Sequence, residues 1–221
     1  MANLKEIRTR ISSVASTMQI TSAMKMVSAA KLKRAQDAIT QMRPYAEKLR
    51  EILVNISSTL EGSAEGAYSQ EREVKKVLIV AIASNRGLCG AFNANIFKAA
   101  EKRIKEYEGK EVQVYAIGKR SADYFTGKHT VFNSNTEIFN DLRYEHVALM
   151  AEEVMASFVD GEFDKVEIIY NEFKNAATQE VVTQQFIPVV SEETEEVSVN
   201  ANYIFEPSKA SIVVDLIPKS L

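Results

Sequence analysis

The chain has 221 residues, 46% apolar and 26% charged, with a net charge of −3; that range bounds one or two ordinary domains. No apolar run reaches the 18 residues of a membrane-spanning helix, and the N-terminus lacks the apolar core and cleavage site of a signal peptide. A single cysteine, Cys89, excludes a disulfide framework and fits a reducing compartment. The charge is unevenly divided: residues 1–50 hold ten Lys/Arg against three Asp/Glu, a net of +7, and the other residues a net of −10. A basic segment on an acidic body points to an acidic partner for that segment, or to a solvated charged helix.

Residues 1–60 read as one long helix. Leu4, Ile7, Ile11, Val14 and Met18 recur at alternating steps of three and four, and the count resumes at Leu32, Ala35, Ile39, Met42, Ala46, Leu49, Leu53, Ile56 and Leu60. The intervening positions, Thr21, Lys25 and Ser28, keep the phase but are polar. Such a repeat specifies a left-handed coiled coil, and no other stretch of these residues supplies a second long helix. A helix of this length, on the order of 85 Å, is expected to project from its body. The start is basic and amphipathic like a mitochondrial transit peptide, but Glu6 and the in-phase seam argue for mature structure. Pro44 should kink the helix without ending it, because the seam keeps its phase. Around the polar break, Ala23, Met24, Met26, Val27, Ala29 and Ala30 lie off the seam; apolar surface on several sides predicts neighbours on several sides.

Residues 61–74, polar and glycine-containing, read as a linker, and residues 75–207 as an α/β domain. The apolar run from Lys76 predicts a strand buried on both faces. A helix follows to Gly109, then the strand Glu111–Gly118, a short helix at 119–125 and a strand at 128–133. Residues 143–161 predict a helix closed by Gly161, and 164–173 and 180–190 two more strands, the second at an edge because of Pro188. Alternating strands and helices imply a Rossmann-like, mostly parallel sheet. Residues 191–202 form an acidic loop, and 208–221 open a C-terminal helix that stops almost as it starts.

Tests for chemistry find little. Ser84–Gly90 occupies the strand-to-helix turn where phosphate is often held, but lacks the G-x-G-x-x-G and Walker spacings; a tight structural turn is the plainer reading. Cys89 has no evident base, since His129 begins a strand and His146 lies within a helix, so a packing role is expected. No histidine or cysteine spacing suits zinc. The cluster Lys25, Lys31, Lys33 and Arg34 could meet nucleic acid, yet it lacks interleaved aromatics and continues an apolar seam. No catalysis and no cofactor are expected.

Three segments carry a family resemblance. Ile7-Arg8 through Lys31-Leu32, Ser84-Asn85-Arg86-Gly87-Leu88-Cys89-Gly90-Ala91-Phe92-Asn93, and Tyr203-x-Phe205-Glu206-Pro207 resemble, in order, segments of the gamma subunits of F-type ATP synthases. The resemblance implies a non-catalytic central rotor shaft, bacterial in type, on the cytoplasmic face of the plasma membrane. It would turn inside three alpha and three beta subunits, with an α/β foot meeting the epsilon subunit and the c ring, and touch the membrane only through that ring. Arg8, Arg10, Met24, Lys25, Lys31, Lys33, Arg34 and Arg86 become expected contacts with the alpha/beta ring, and Tyr203 and Glu206 with the c ring or epsilon. The family's C-terminal helix is absent apart from its opening residues. The alternative is a coiled-coil scaffold or adaptor with a ligand-binding α/β domain, which would dimerise through the 4–60 seam and bury its polar break.

Overall fold

The computed structural model describes residues 3–57, 68, 70 and 72–189, with only the backbone for 50–57. The expected acidic loop, the Tyr203–Pro207 motif and the helix from 208 lie outside the described residues, as does most of the expected linker. The chain divides into two compact units, Met1–Ile52 and Leu53–Leu221.

Helix α1 runs from Leu4 to Ser57 without interruption at Pro44, as the unbroken seam predicts. Asn3 starts it: its side-chain oxygen accepts the Lys5 N–H at 3.2 Å, satisfying one of the donors a helix leaves free at its start.

The second unit carries β1 (Lys76–Ile82), α2 (Phe92–Glu106), β2 (Glu111–Ile117), α3 (Lys119–Phe125), β3 (Val131–Asn135), α4 (Tyr144–Val159), β4 (Lys165–Phe173) and β5 (Gln179–Ile187). The sheet order is β3-β2-β1-β4-β5. The first four strands are parallel and β5 pairs antiparallel with β4. The edge position of β5 is as expected, and it stops at Ile187 because Pro188 has no N–H to give a ladder. The third strand lies at 131–135 rather than 128–133, since Gly127–His129 turns the chain after α3.

Strand β1 is central and buried from Val77 to Ala81. Its two faces feed two cores. Val77, Ile79 and Ala81 pack with Ile96 and Ala100 of α2 and Phe125 of α3. Leu78 and Val80 pack with Val154, Met155 and Phe158 of α4. Alternation of one strand between two helical layers accounts for its continuous apolar run.

A buried polar cluster fixes α2 to β4. Glu167 is 1% exposed and accepts hydrogen bonds from Arg103 Nε and Nη2, both at 2.6 Å, and from Tyr107 Oη at 2.7 Å. Lys165 Nζ adds an ion pair at 3.3 Å. Burial pushes the Glu167 carboxyl up, but the bonds from Arg103 and Tyr107 and the charges of Arg103 and Lys165 outweigh it and hold it below its usual value.

Helix α4 ends in Gly161 (φ 77°), where Gly161 N–H donates to Phe158 O and Glu162 N–H to Ser157 O, the paired closure that a left-handed residue permits. Arg72 of the expected linker donates to Phe158 O at 3.0 Å and lies over the Phe158 ring. Asp164 accepts the N–H groups of Lys75 and Lys76, both at 2.9 Å.

Candidate functional site

Two surfaces stand out, each described on its own unit. The first is α1. Its seam residues from Leu4 to Met42 include eight large apolar side chains at 39–68% exposure. Off the seam, Ile20, Met24, Met26 and Val27 are 58–66% exposed. Among the described residues nothing covers these side chains. An apolar side chain gains only when removed from water, at roughly 25 cal/mol per Å², so this helix presents surface suited to being covered.

In the polar break, Thr21 is bonded within its own helix, as is Thr17 one turn before it. The Thr17 hydroxyl donates to Ser13 O at 2.9 Å, and that of Thr21 to Thr17 O at 2.9 Å and Met18 O at 3.0 Å. These hydroxyls thus ask nothing of a partner. Arg10 is paired on its own helix with Glu6 at 2.7 Å. Arg8, Lys25, Lys31, Lys33 and Arg34 are exposed and have no acidic partner among the described residues. Of the expected contacts on the helix, these five and Met24 are therefore available, and Arg10 is already engaged.

The second surface is the turn from β1 into α2. Buried Asn93 organises it. Its Oδ1 accepts the Ser84 N–H at 3.0 Å, and its Nδ2 donates to Ser84 Oγ at 2.9 Å, Arg86 O at 3.3 Å and Cys89 Sγ at 3.3 Å. Asn85 extends the network, donating to Thr136 O at 2.7 Å and accepting the Lys119 N–H at 2.8 Å. Gly118 (φ 90°) closes beneath it; a Cβ there would stand 2.0 Å from Ala83 O. The polar side chains of Ser84, Asn85 and Asn93 are thus engaged with the turn's own backbone and one another. Arg86 points outward, exposed.

Cys89 corrects an expectation. Rather than packing, it is exposed, because the turn folds around the Asn93 amide and leaves Arg86 and residues 88–91 exposed. His129 lies in the turn after α3 and meets Glu101 at 3.0 Å. His146 sits on α4, its Nδ1 3.0 Å from Asp141 O. Neither contacts Cys89, and among the described residues no group of three or more His, Cys, Asp or Glu is arranged to hold a metal. Among them too, no helix is long and apolar enough to cross a membrane. Sequence reasoning passed over Leu88, fully exposed with a positive φ, and Arg120, whose guanidinium lies against Gly87; Gly87 and Gly90 on either side of Leu88 were the available signal for the leucine. Tyr203 and Glu206 lie outside the described residues.

A family model described as ATP synthase matches residues 3–221. The chain is 61% identical over 221 residues to the ATP synthase gamma chain of Flavobacterium johnsoniae and 58% identical over 221 residues to that of Flavobacterium psychrophilum. Each alignment covers 100% of this chain and 77% of the relative. A solved central stalk and c ring of Tetrahymena thermophila mitochondrial ATP synthase shares the fold, with a TM-score of 0.62 at 24% identity, covering 91% of this chain and 88% of that one. On the full-length family match and on that identity to curated relatives, the chain belongs to the ATP synthase gamma chain family.

Proposed function

We propose that α1 works as a shaft inside a ring of three alpha and three beta subunits, and that the α/β unit is the foot through which proton-driven rotation of a c ring reaches it. Family membership makes the chain a non-catalytic rotor subunit of ATP synthase. The observation that carries the finer reading is the exposure, among the described residues, of apolar and cationic side chains around this helix from Leu4 to Met42. Arg8, Met24, Lys25, Lys31, Lys33 and Arg34 are the proposed contacts with the ring; Arg10 joins them only by leaving Glu6. Arg86 meets an acidic beta-subunit loop from the foot. Tyr203 and Glu206 are proposed to face the c ring, with epsilon beside the foot, and the complex is proposed to lie at the cytoplasmic face of a bacterial plasma membrane. Residues 61–74 are proposed to link shaft to foot.

The mechanism needs no chemistry from this chain. An asymmetric shaft makes different contacts with each beta subunit at each angle, and so biases each among its conformations by differential affinity. Reversing Lys31 and Lys33 to glutamate tests this. The account expects ATP hydrolysis by the assembled complex to continue while proton pumping per ATP falls severalfold. Unchanged coupling would count against the contact.

A further inference from the structure

Helix α4 carries a seam of its own. Glu145, Leu149, Glu152, Ala156 and Val159 recur at steps of four and three, and all five are exposed, Leu149 at 64% and Val159 at 44%. Val154, Met155 and Phe158, on the far side of the helix, pack in the core, so the foot does not use this stripe. From Tyr144 to Val159 the helix has three glutamates and no lysine or arginine. Among the described residues neither Glu145 nor Glu152 has an ion-pair partner.

The polar break of α1 is its counterpart. Backward from Leu32, the seam runs Leu32, Ser28, Lys25, Thr21 and Met18, at the same steps of four and three, and all five are exposed. From Met18 to Arg34 the helix has four cations, Lys25, Lys31, Lys33 and Arg34, and no carboxylate. Seams of this spacing pack at a shallow left-handed crossing. Laid antiparallel, Met18 meets Val159, Thr21 meets Ala156, Lys25 meets Glu152 and Ser28 meets Leu149. Leu32 falls opposite Glu145, with Lys31 beside it. A polar residue on a seam fixes register when its opposite is complementary, and Lys25 opposite Glu152 does so here. Parallel and in phase, Lys25 would face Leu149 or Ala156 instead.

We propose that, in the chain on its own, residues 18–34 of α1 dock antiparallel on the α4 stripe of a second copy. Each copy offers both surfaces, so the contact forms twice and closes a two-fold dimer. An alpha/beta ring surrounding α1 would replace this contact; the proposal goes beyond the shaft reading and does not depend on it.

A charge swap tests it, with the full chain alone in sedimentation equilibrium. The unsubstituted chain should show a concentration-dependent monomer–dimer equilibrium at low salt that weakens in about 0.5 M salt. Lys25→Glu and Glu152→Lys should each raise the dimer Kd at least about tenfold, since each sets like charges face to face. Both substitutions in one chain restore the pair with its signs exchanged and should bring the Kd back to within about threefold of the original. A folding defect could not produce that rescue. A chain that is monomeric at every concentration overturns the proposal, as does a double variant no tighter than the singles. A dimer weakened by Lys25→Glu but indifferent to Glu152→Lys would be joined seam to seam, and also overturns it.

Discussion

Replacing Glu167 by glutamine removes the charge from a carboxylate that is 1% exposed and leaves its shape. The carboxylate accepts three hydrogen bonds at 2.6–2.7 Å from Arg103 and Tyr107, of the short, charge-assisted kind. Breaking a buried pair outright costs about 3–5 kcal/mol. The glutamine carbonyl can still accept part of this set, and the Arg103 side chain, 32% exposed, can turn to water, so about 2 kcal/mol is expected. For a body of this size that is a melting temperature lower by about 8 °C. The chain has no tryptophan, so near-ultraviolet circular dichroism of tyrosine would follow the foot. The pH dependence sharpens the test. The folded carboxyl titrates below its ordinary 4.5, so its stabilisation is fully present above that value and is lost as pH falls through the lower folded value. The gap between the two proteins should be widest at neutral pH and should narrow in acid. A gap under about 2 °C at pH 7, or one that persists undiminished at about pH 3, would refute this account of how α2 is held to the sheet.

Gly118→Ala should destabilise the foot by more than about 3 kcal/mol, since its Cβ would meet Ala83 O at 2.0 Å in a left-handed backbone; a urea midpoint within error of the unsubstituted chain would contradict it. The loss of coupling in the Lys31/Lys33 reversal should shrink as salt is raised, because both side chains are exposed and screened charges act over about 10 Å at 0.1 M; a salt-independent loss would indicate a packing defect instead.

The fold was legible where periodicity is long. The seam of α1, the doubly buried β1 and the helix closing at Gly161 each express one geometric rule over many residues. Boundaries were less legible where a turn decides them, as with β3, displaced by the turn after α3. The burial of Glu167 could not be read, because a lone carboxylate in a strand looks solvated until α2 delivers Arg103 and Tyr107 to it from some 60 residues away in sequence. For the site, the cations of the helix were legible as charge, but that Arg10 is engaged with Glu6 was a matter of rotamer. Cys89 misled because cysteines are usually buried, and its place depends on the hydrogen bonds of Asn93. The strain at Leu88 lies in a dihedral angle that no composition reveals.

The most direct test of the shaft is to co-express the tagged chain with alpha, beta and epsilon and weigh the product by native mass spectrometry. The account predicts one copy of this chain with three alpha and three beta subunits. A homodimer joined through the 4–60 seam and free of alpha and beta would contradict it.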